Sequence, residues 1–158
     1  MERILLNDEL TMICPDGFRI LSKEEMDRMQ FLEDGPCVCL SDPERHLLAS
    51  VGWKRPGPLA GLLLNARDLA KNMEKTVQSS LRSAGYHCRG FDTKQIAGNR
   101  SEGFSYEYSA QGTEMAGMSY VTKIAGTIYY FNFYARAEGE ALALPIWDEM
   151  LGSVRRKT

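Results

Sequence analysis

Ile128-Tyr129-Tyr130-Phe131-Asn132-Phe133-Tyr134 is the stretch that decides the fold. Every position but one is apolar or aromatic. β-Branched and aromatic side chains favour an extended chain. Successive side chains of a strand point to opposite faces, so this run loads both faces with bulk. A strand of that kind belongs in a sheet interior covered on both sides. The predicted strand runs Ile128–Ala137. Just before it, Phe104–Ala110 and Met115–Ile124 also read as strands. Gln111-Gly112-Thr113 and Ala125-Gly126-Thr127 join the three as hairpins. The reading is a meander at the centre of a curved antiparallel β-sheet.

Further upstream, Tyr86–Phe91 reads as a strand running into a loop through Gly98. Leu59, Leu62, Leu63, Ala66, Ala70, Met73, Val77, Leu81 and Ala84 recur at helical spacing, and Gly85 suits a left-handed C-terminal cap. One helix over Leu59–Ala84 is one reading. A strand over Leu59–Leu64 followed by a helix starting at Asn65 or Asp68 is the other. Arg55-Pro56-Gly57-Pro58 is a firm break before it. Val38–Leu40 and Leu47–Trp53 read as a strand pair about Ser41-Asp42-Pro43-Glu44. Leu10–Cys14 and Phe18–Leu21 are extended, with a turn at Pro15-Asp16-Gly17. Ser22-Lys23-Glu24-Glu25 matches a capping box, in which hydroxyl and carboxylate each serve a free backbone amide. Its short helix runs to about Gln30, and Gly35-Pro36 ends that region.

Downstream, Leu142–Arg155 reads as a closing helix with Pro145 in its first turn, where a missing amide costs little. Ile146, Trp147, Met150, Leu151 and Val154 form its apolar stripe. Arg155-Arg156-Lys157 would sit at the negative end of the helix dipole. Helices thus sandwich the sheet in one α+β domain over residues 1–158.

The chain has 158 residues, 44% hydrophobic and 25% charged, with a net charge of −2. That composition is globular and not that of a disordered chain. It provides no basic field for nucleic acid. Ile4-Leu5-Leu6 is too short an apolar run for a signal peptide, and no run is long enough to span a membrane. The expectation is a cytoplasmic chain whose four cysteines are reduced.

Several local features resemble the PsbP-like and DcrB-like α/β-sandwich superfamily. They are Pro15-Asp16-Gly17-Phe18, Ile96-Ala97-Gly98 ahead of the strand holding Tyr106 and Tyr108, and a last strand with aromatics and Ala135. The helix closing with Trp147-Asp148-Glu149-Met150-Leu151-Gly152-Ser153 completes the set. The match covers most of the chain in short motifs. The resemblance implies a binding module: members include a photosystem accessory subunit, a Ran-GTPase-binding factor and adaptor chaperones for secreted effectors. It carries no catalytic motif, and it makes a non-enzymatic protein-binding or adaptor domain the leading functional reading.

Metal chemistry finds little here. Cys37-x-Cys39 puts two thiols on one strand face, but zinc sites pair ligands at Cys-x₂₋₄-Cys and need a second pair. His46 and His87 are the available imidazole bases. Glu24/Glu25, Glu138/Glu140 and Asp148/Glu149 sit where helix surfaces are expected. The glycines match neither the Gly-x-Gly-x-x-Gly nor the Walker spacing. No cofactor and no metal are read from the chain. Glu107, mid-strand and able to face Lys123 or Arg100, and Cys88, beside His87, are the residues an enzyme would use.

With the turns centred on Gly112 and Gly126, Tyr106 faces Met118, Tyr120 faces Asn132, and Met118 faces Tyr134. Even-numbered residues then share one face: Tyr106, Tyr108, Tyr120, Tyr130, Asn132 and Tyr134. Met115, Val121, Tyr129, Phe131 and Phe133 take the other, which would pack on a long apolar helix. Tyrosine bodies with hydroxyl tips are common at interfaces, so this is the candidate binding face, with Trp53 beside Arg55 as a seventh member. Its partner would be another protein, a second copy of the chain included. A small-molecule pocket between sheet and helix is the alternative. Burial of the rings under a helix would argue against an open face.

Overall fold

The computed structural model describes residues 1–29 and 35–157. Among them, the strands are β1 (Glu2–Leu5), β2 (Leu10–Cys14), β3 (Arg19–Ile20), β4 (Cys37–Asp42), β5 (Leu47–Lys54), β6 (His87–Ile96), β7 (Asn99–Ala110), β8 (Thr113–Ile124), β9 (Thr127–Arg136) and β10 (Arg155–Arg156). The helices are α1 (Lys23–Asp27), α2 (Pro58–Leu63), α3 (Ala66–Ser80) and α4 (Glu140–Gly152).

β9 holds the Ile128–Tyr134 run and is fourth in a seven-stranded antiparallel sheet ordered β3-β4-β5-β9-β8-β7-β6. Residues 128 to 133 are all buried, as a strand covered on both faces requires. α3 covers one face, packing on β7 and β8. The other face is closed by α4 and a small sheet ordered β1-β2-β10. The fold is α+β, with an antiparallel sheet between helical layers.

Three consecutive hairpins build the meander. Ala97-Gly98, Gln111-Gly112 and Ala125-Gly126 all have positive φ, at 51° and 76°, 52° and 80°, and 50° and 83°. Two left-handed residues in a row make a type I′ turn, whose twist matches that of the strands it joins. The loops therefore hold two residues, and the flanking pairs are Ala110↔Thr113 and Ile124↔Thr127. This corrects the register predicted from turns centred on Gly112 and Gly126. Each hairpin shifts by one residue, and one residue exchanges the faces of a strand. The two shifts cancel between β7 and β9, so β8 alone is inverted relative to the expectation. Tyr120 moves to the phenylalanine face, while Met115 and Val121 move to the tyrosine face. Trp53 pairs with Tyr129 and so stands on the side of Tyr120.

Other expectations change for local reasons. Single-helix periodicity over Leu59–Ala84 breaks at Leu64, whose ψ of 132° is extended. Asn65 then caps α3, its side chain accepting from the Asp68 amide at 2.9 Å. The segment before that cap is helical, not a strand. β6 reaches Ile96, through the span read as a loop; it is an edge strand, mostly exposed and polar, and gives no period-two signal. α4 starts at Glu140 and ends at Gly152, which places Pro145 in its second turn. Arg155 and Arg156 are not helical: they pair with Thr11 and Leu10 of β2, and the Lys157 amide donates to the Glu9 carbonyl at 2.7 Å. β1 has no counterpart among the predicted strands. The capping box at Ser22 is present with both of its hydrogen bonds. The predicted end of α1 at Gln30 lies outside the described residues.

Candidate functional site

On the α3 side, the sheet carries the even residues of β7 and β9 and the odd residues of β8. Tyr106, Tyr108, Tyr130, Asn132 and Tyr134 are together there. Phe104, Tyr106 and Tyr108 run along β7 with ring centroids 5.6 and 5.9 Å apart, and Tyr86 lies 5.5 Å from Tyr106. The cross-strand partner of Tyr106 is Gly117, and the ring lies where a side chain would be: a Cβ there would come within 2.3 Å of Tyr106 Cζ. The next row is polar. Ser119 donates to Asn132 Oδ1 at 2.7 Å beside buried Ser50. Burial pushes the Tyr106 and Tyr134 phenols well above the usual tyrosine range.

Ala70 and Met73 of α3, with Leu69, Val77 and Leu81, pack on this layer. Tyr106, Tyr130 and Asn132 are buried beneath it, while Tyr108 and Tyr134 are half-buried. The rings build a core between sheet and helix in place of the open face that the expected register implies. Lys54 sits 5.5 Å above the Tyr130 ring at its rim.

Tyr120, on the α4 side, is also buried. Its ring lies over Gly103, where a Cβ would come within 2.3 Å of Cδ1. Its hydroxyl donates to Asp92 Oδ1 at 2.7 Å, and Lys94 stands 5.4 Å from the ring. Burial, then the Asp92 hydrogen bond, raise this phenol well above its ordinary range. Trp147 is fully buried 5.5 Å from Phe133.

Trp53 lies on the opposite face from Tyr106, Tyr108, Tyr130 and Tyr134. With Pro36, Lys54, Arg55, Asn7 and Asp8 it lines a groove at the end of β5, against the turn between β1 and β2. Arg55 fixes that turn through Glu9 at 2.8 Å and Asp8 at 3.2 Å, and Asn7 donates to the Tyr129 hydroxyl at 2.9 Å. α2 follows immediately. Its Leu59, Leu62 and Leu63 are 79, 82 and 82% exposed. Helical spacing suggests a core face for these three, because periodicity shows that they can share a side but not what covers it. Lys123 on β8 holds α2 in place by donating to the carbonyls of Gly61 and Leu64.

Of the residues proposed for enzyme chemistry, Glu107 and His87 come opposite each other with Cys88 next along β6 on the other face, while the rest stay dispersed. Glu107 is exposed and pairs across strands with His87 and Ala116. Its expected cations are engaged elsewhere: Lys123 on α2, and Arg100 on Glu102 at 2.8 Å. Cys88 pairs with Tyr106 on β6, and His46 is exposed on its turn. Glu25, Glu140 and Asp148 each bind a cation, respectively Arg19, Arg89 and Lys94. Among the described residues, no three His, Cys, Asp or Glu side chains converge as a metal site.

No family model matches the chain, and no curated protein matches it in sequence. Solved structures do match in fold. The cyanobacterial PsbP protein CyanoP from Synechocystis sp. PCC 6803 superposes with a TM-score of 0.69 at 17% identity, over 95% of this chain and 88% of that one. LpqN, involved in cell envelope biogenesis of Mycobacterium tuberculosis, gives 0.63 at 11% identity, over 94% and 83%. The Saccharomyces cerevisiae Ran-binding protein Mog1p gives 0.60 at 10% identity, over 92% and 89%. The chain has the PsbP-like α/β fold, in agreement with the resemblance seen in its motifs.

Proposed function

We propose that this chain is a non-enzymatic protein-binding domain that docks its partner on α2 and the adjoining Trp53 groove. The observation that carries the reading is the exposure of Leu59, Leu62 and Leu63. Single exposed leucines are ordinary, but contiguous apolar patches mark interaction sites on soluble domains. Lys54, Ile128 and Lys123 form one row across β5, β9 and β8, so the groove and α2 sit at the same end of the sheet. Trp53 supplies the aromatic anchor typical of interface centres. A Ran-binding neighbour of the same fold is compatible with such a role.

The test compares affinity capture by the wild-type chain with capture by a Leu62→Asp/Leu63→Asp variant. Both side chains lie outside the two apolar cores, so the thermal midpoint should hold while the recovered partner disappears. Recovery of the same proteins by both baits would refute the surface.

A further inference from the structure

α1 and β4 bring three sulfur-bearing residues to one place. Cys37 and Cys39 are two residues apart on β4, so both thiols leave the strand on one face. Cys37 stands opposite Gly52 and Cys39 opposite Ser50. Met26 of α1 reaches the same place, with its Sδ 3.9 Å from Cys37 Sγ. The Cys37 thiol donates to Met26 Sδ, and Cys39 follows on the same strand face. Cys37 therefore stands between Met26 and Cys39, in contact with the Met26 sulfur. Cys39 is fully buried, whereas Cys37 and Met26 are each partly exposed, so the trio is open to solvent on one side.

We propose that Met26, Cys37 and Cys39 form a binding site for monovalent copper. The donor set selects the metal. Two thiolates and a thioether are soft ligands of the kind that favour Cu(I). Zinc takes four ligands in a tetrahedron, drawn from thiolate, imidazole and carboxylate, and a thioether serves it poorly. The spacing agrees as well. Metal–sulfur bonds of about 2.3 Å in a trigonal plane put neighbouring sulfurs about 4.0 Å apart, which is close to the 3.9 Å between Cys37 and Met26. Loading replaces two S–H bonds by two copper–thiolate bonds and releases two protons to solvent; copper stays monovalent, and the thioether adds a lone pair. Affinity must therefore rise with pH. The site is separate from the α2 surface and stands or falls without it.

The reduced 158-residue chain is titrated with Cu(I) without oxygen, against a competing Cu(I) chelator. One copper per chain is expected, with three sulfur neighbours at about 2.3 Å in X-ray absorption. Cys37→Ser is the first variant, because that thiol is partly exposed and its loss leaves the core packed. It should weaken binding more than about a hundredfold, beyond the loss caused by removing a group that only orients a ligand. Met26→Leu conserves volume and should leave copper with two sulfur neighbours. Cys14→Ser and Cys88→Ser should bind like the wild type. Failure to compete with the chelator, nitrogen or oxygen neighbours in place of three sulfurs, or a loss that follows Cys88 instead of Cys37 would each overturn the assignment.

Discussion

Two tyrosines in the meander lie over glycines on the adjacent strand, one on each face of the β7–β8 pair. Tyr106 covers Gly117, and Tyr120 covers Gly103. An aromatic ring laid over a cross-strand glycine restores the packing that the missing side chain leaves out. Here the relation is strict, since Gly103 also stands where a Cβ would meet the Ser119 carbonyl at 2.4 Å. Overpacking of a filled site costs about 1–3 kcal/mol. Gly117→Ala and Gly103→Ala should each lose about that much in urea unfolding, whereas Gly139→Ala, with nothing within 4 Å of the new methyl, should not lose stability. The tyrosines are legible in the sequence as a group. Their partners are not, because turns centred on Gly112 and Gly126 set Tyr106 against Met118 and Tyr120 against Asn132. Only the left-handed Gln111 and Ala125 reveal the true pairing, and nothing in a glutamine or an alanine announces that conformation.

Elements whose signal is local agree with the sequence. The cap of α1 is one, and its chemistry gives a pH dependence. The Glu25 carboxyl is held at about 2, below its ordinary 4.5, first by the Arg19 guanidinium and then by the Ser22 backbone amide. A carboxyl more acidic in the folded chain than in the unfolded one stabilises the fold above its unfolded value. That contribution is complete above about pH 4.5 and fades as pH falls through about 2. Amide and carboxyl shifts of residues 22–25, followed by NMR, should report α1 fraying over that window, and Glu25→Gln should abolish the step. The break at Asn65 is similarly local, a side chain capping its own helix. The second half of β6 and all of β10 escape notice for the opposite reason: an exposed edge strand and a two-residue strand are defined by their neighbours and not by their own pattern.

At the scale of the molecule, the closing helix holds two sheets together. Trp147, Met150, Leu151 and Val154 are buried in the larger core. At about 1.5–3 kcal/mol each they contribute about 6–12 kcal/mol gross, an upper bound of the same size as the net stability of a domain, about 5–15 kcal/mol. A chain ending at Leu144 should show no cooperative thermal transition by circular dichroism. The α+β class, the central place of β9 and the stripe on α4 are all legible in the sequence, because each rests on a strong apolar run. The exposure of α2 is not, since burial is a property of the assembled layers.

The two sheets also differ in the reach of their closures. Each hairpin of the meander is closed by two residues, while β10 pairs Arg155 with Thr11 at the far end of the chain. Each doubling of a loop adds about 0.6 kcal/mol of closure entropy, so a tie of this length, about six doublings longer, costs about 4 kcal/mol more than one within a hairpin. The order of assembly follows from that difference. The meander can form from neighbouring residues alone, whereas a nascent chain leaving the ribosome holds β2 with one edge unpaired until Arg156 has been synthesised and released.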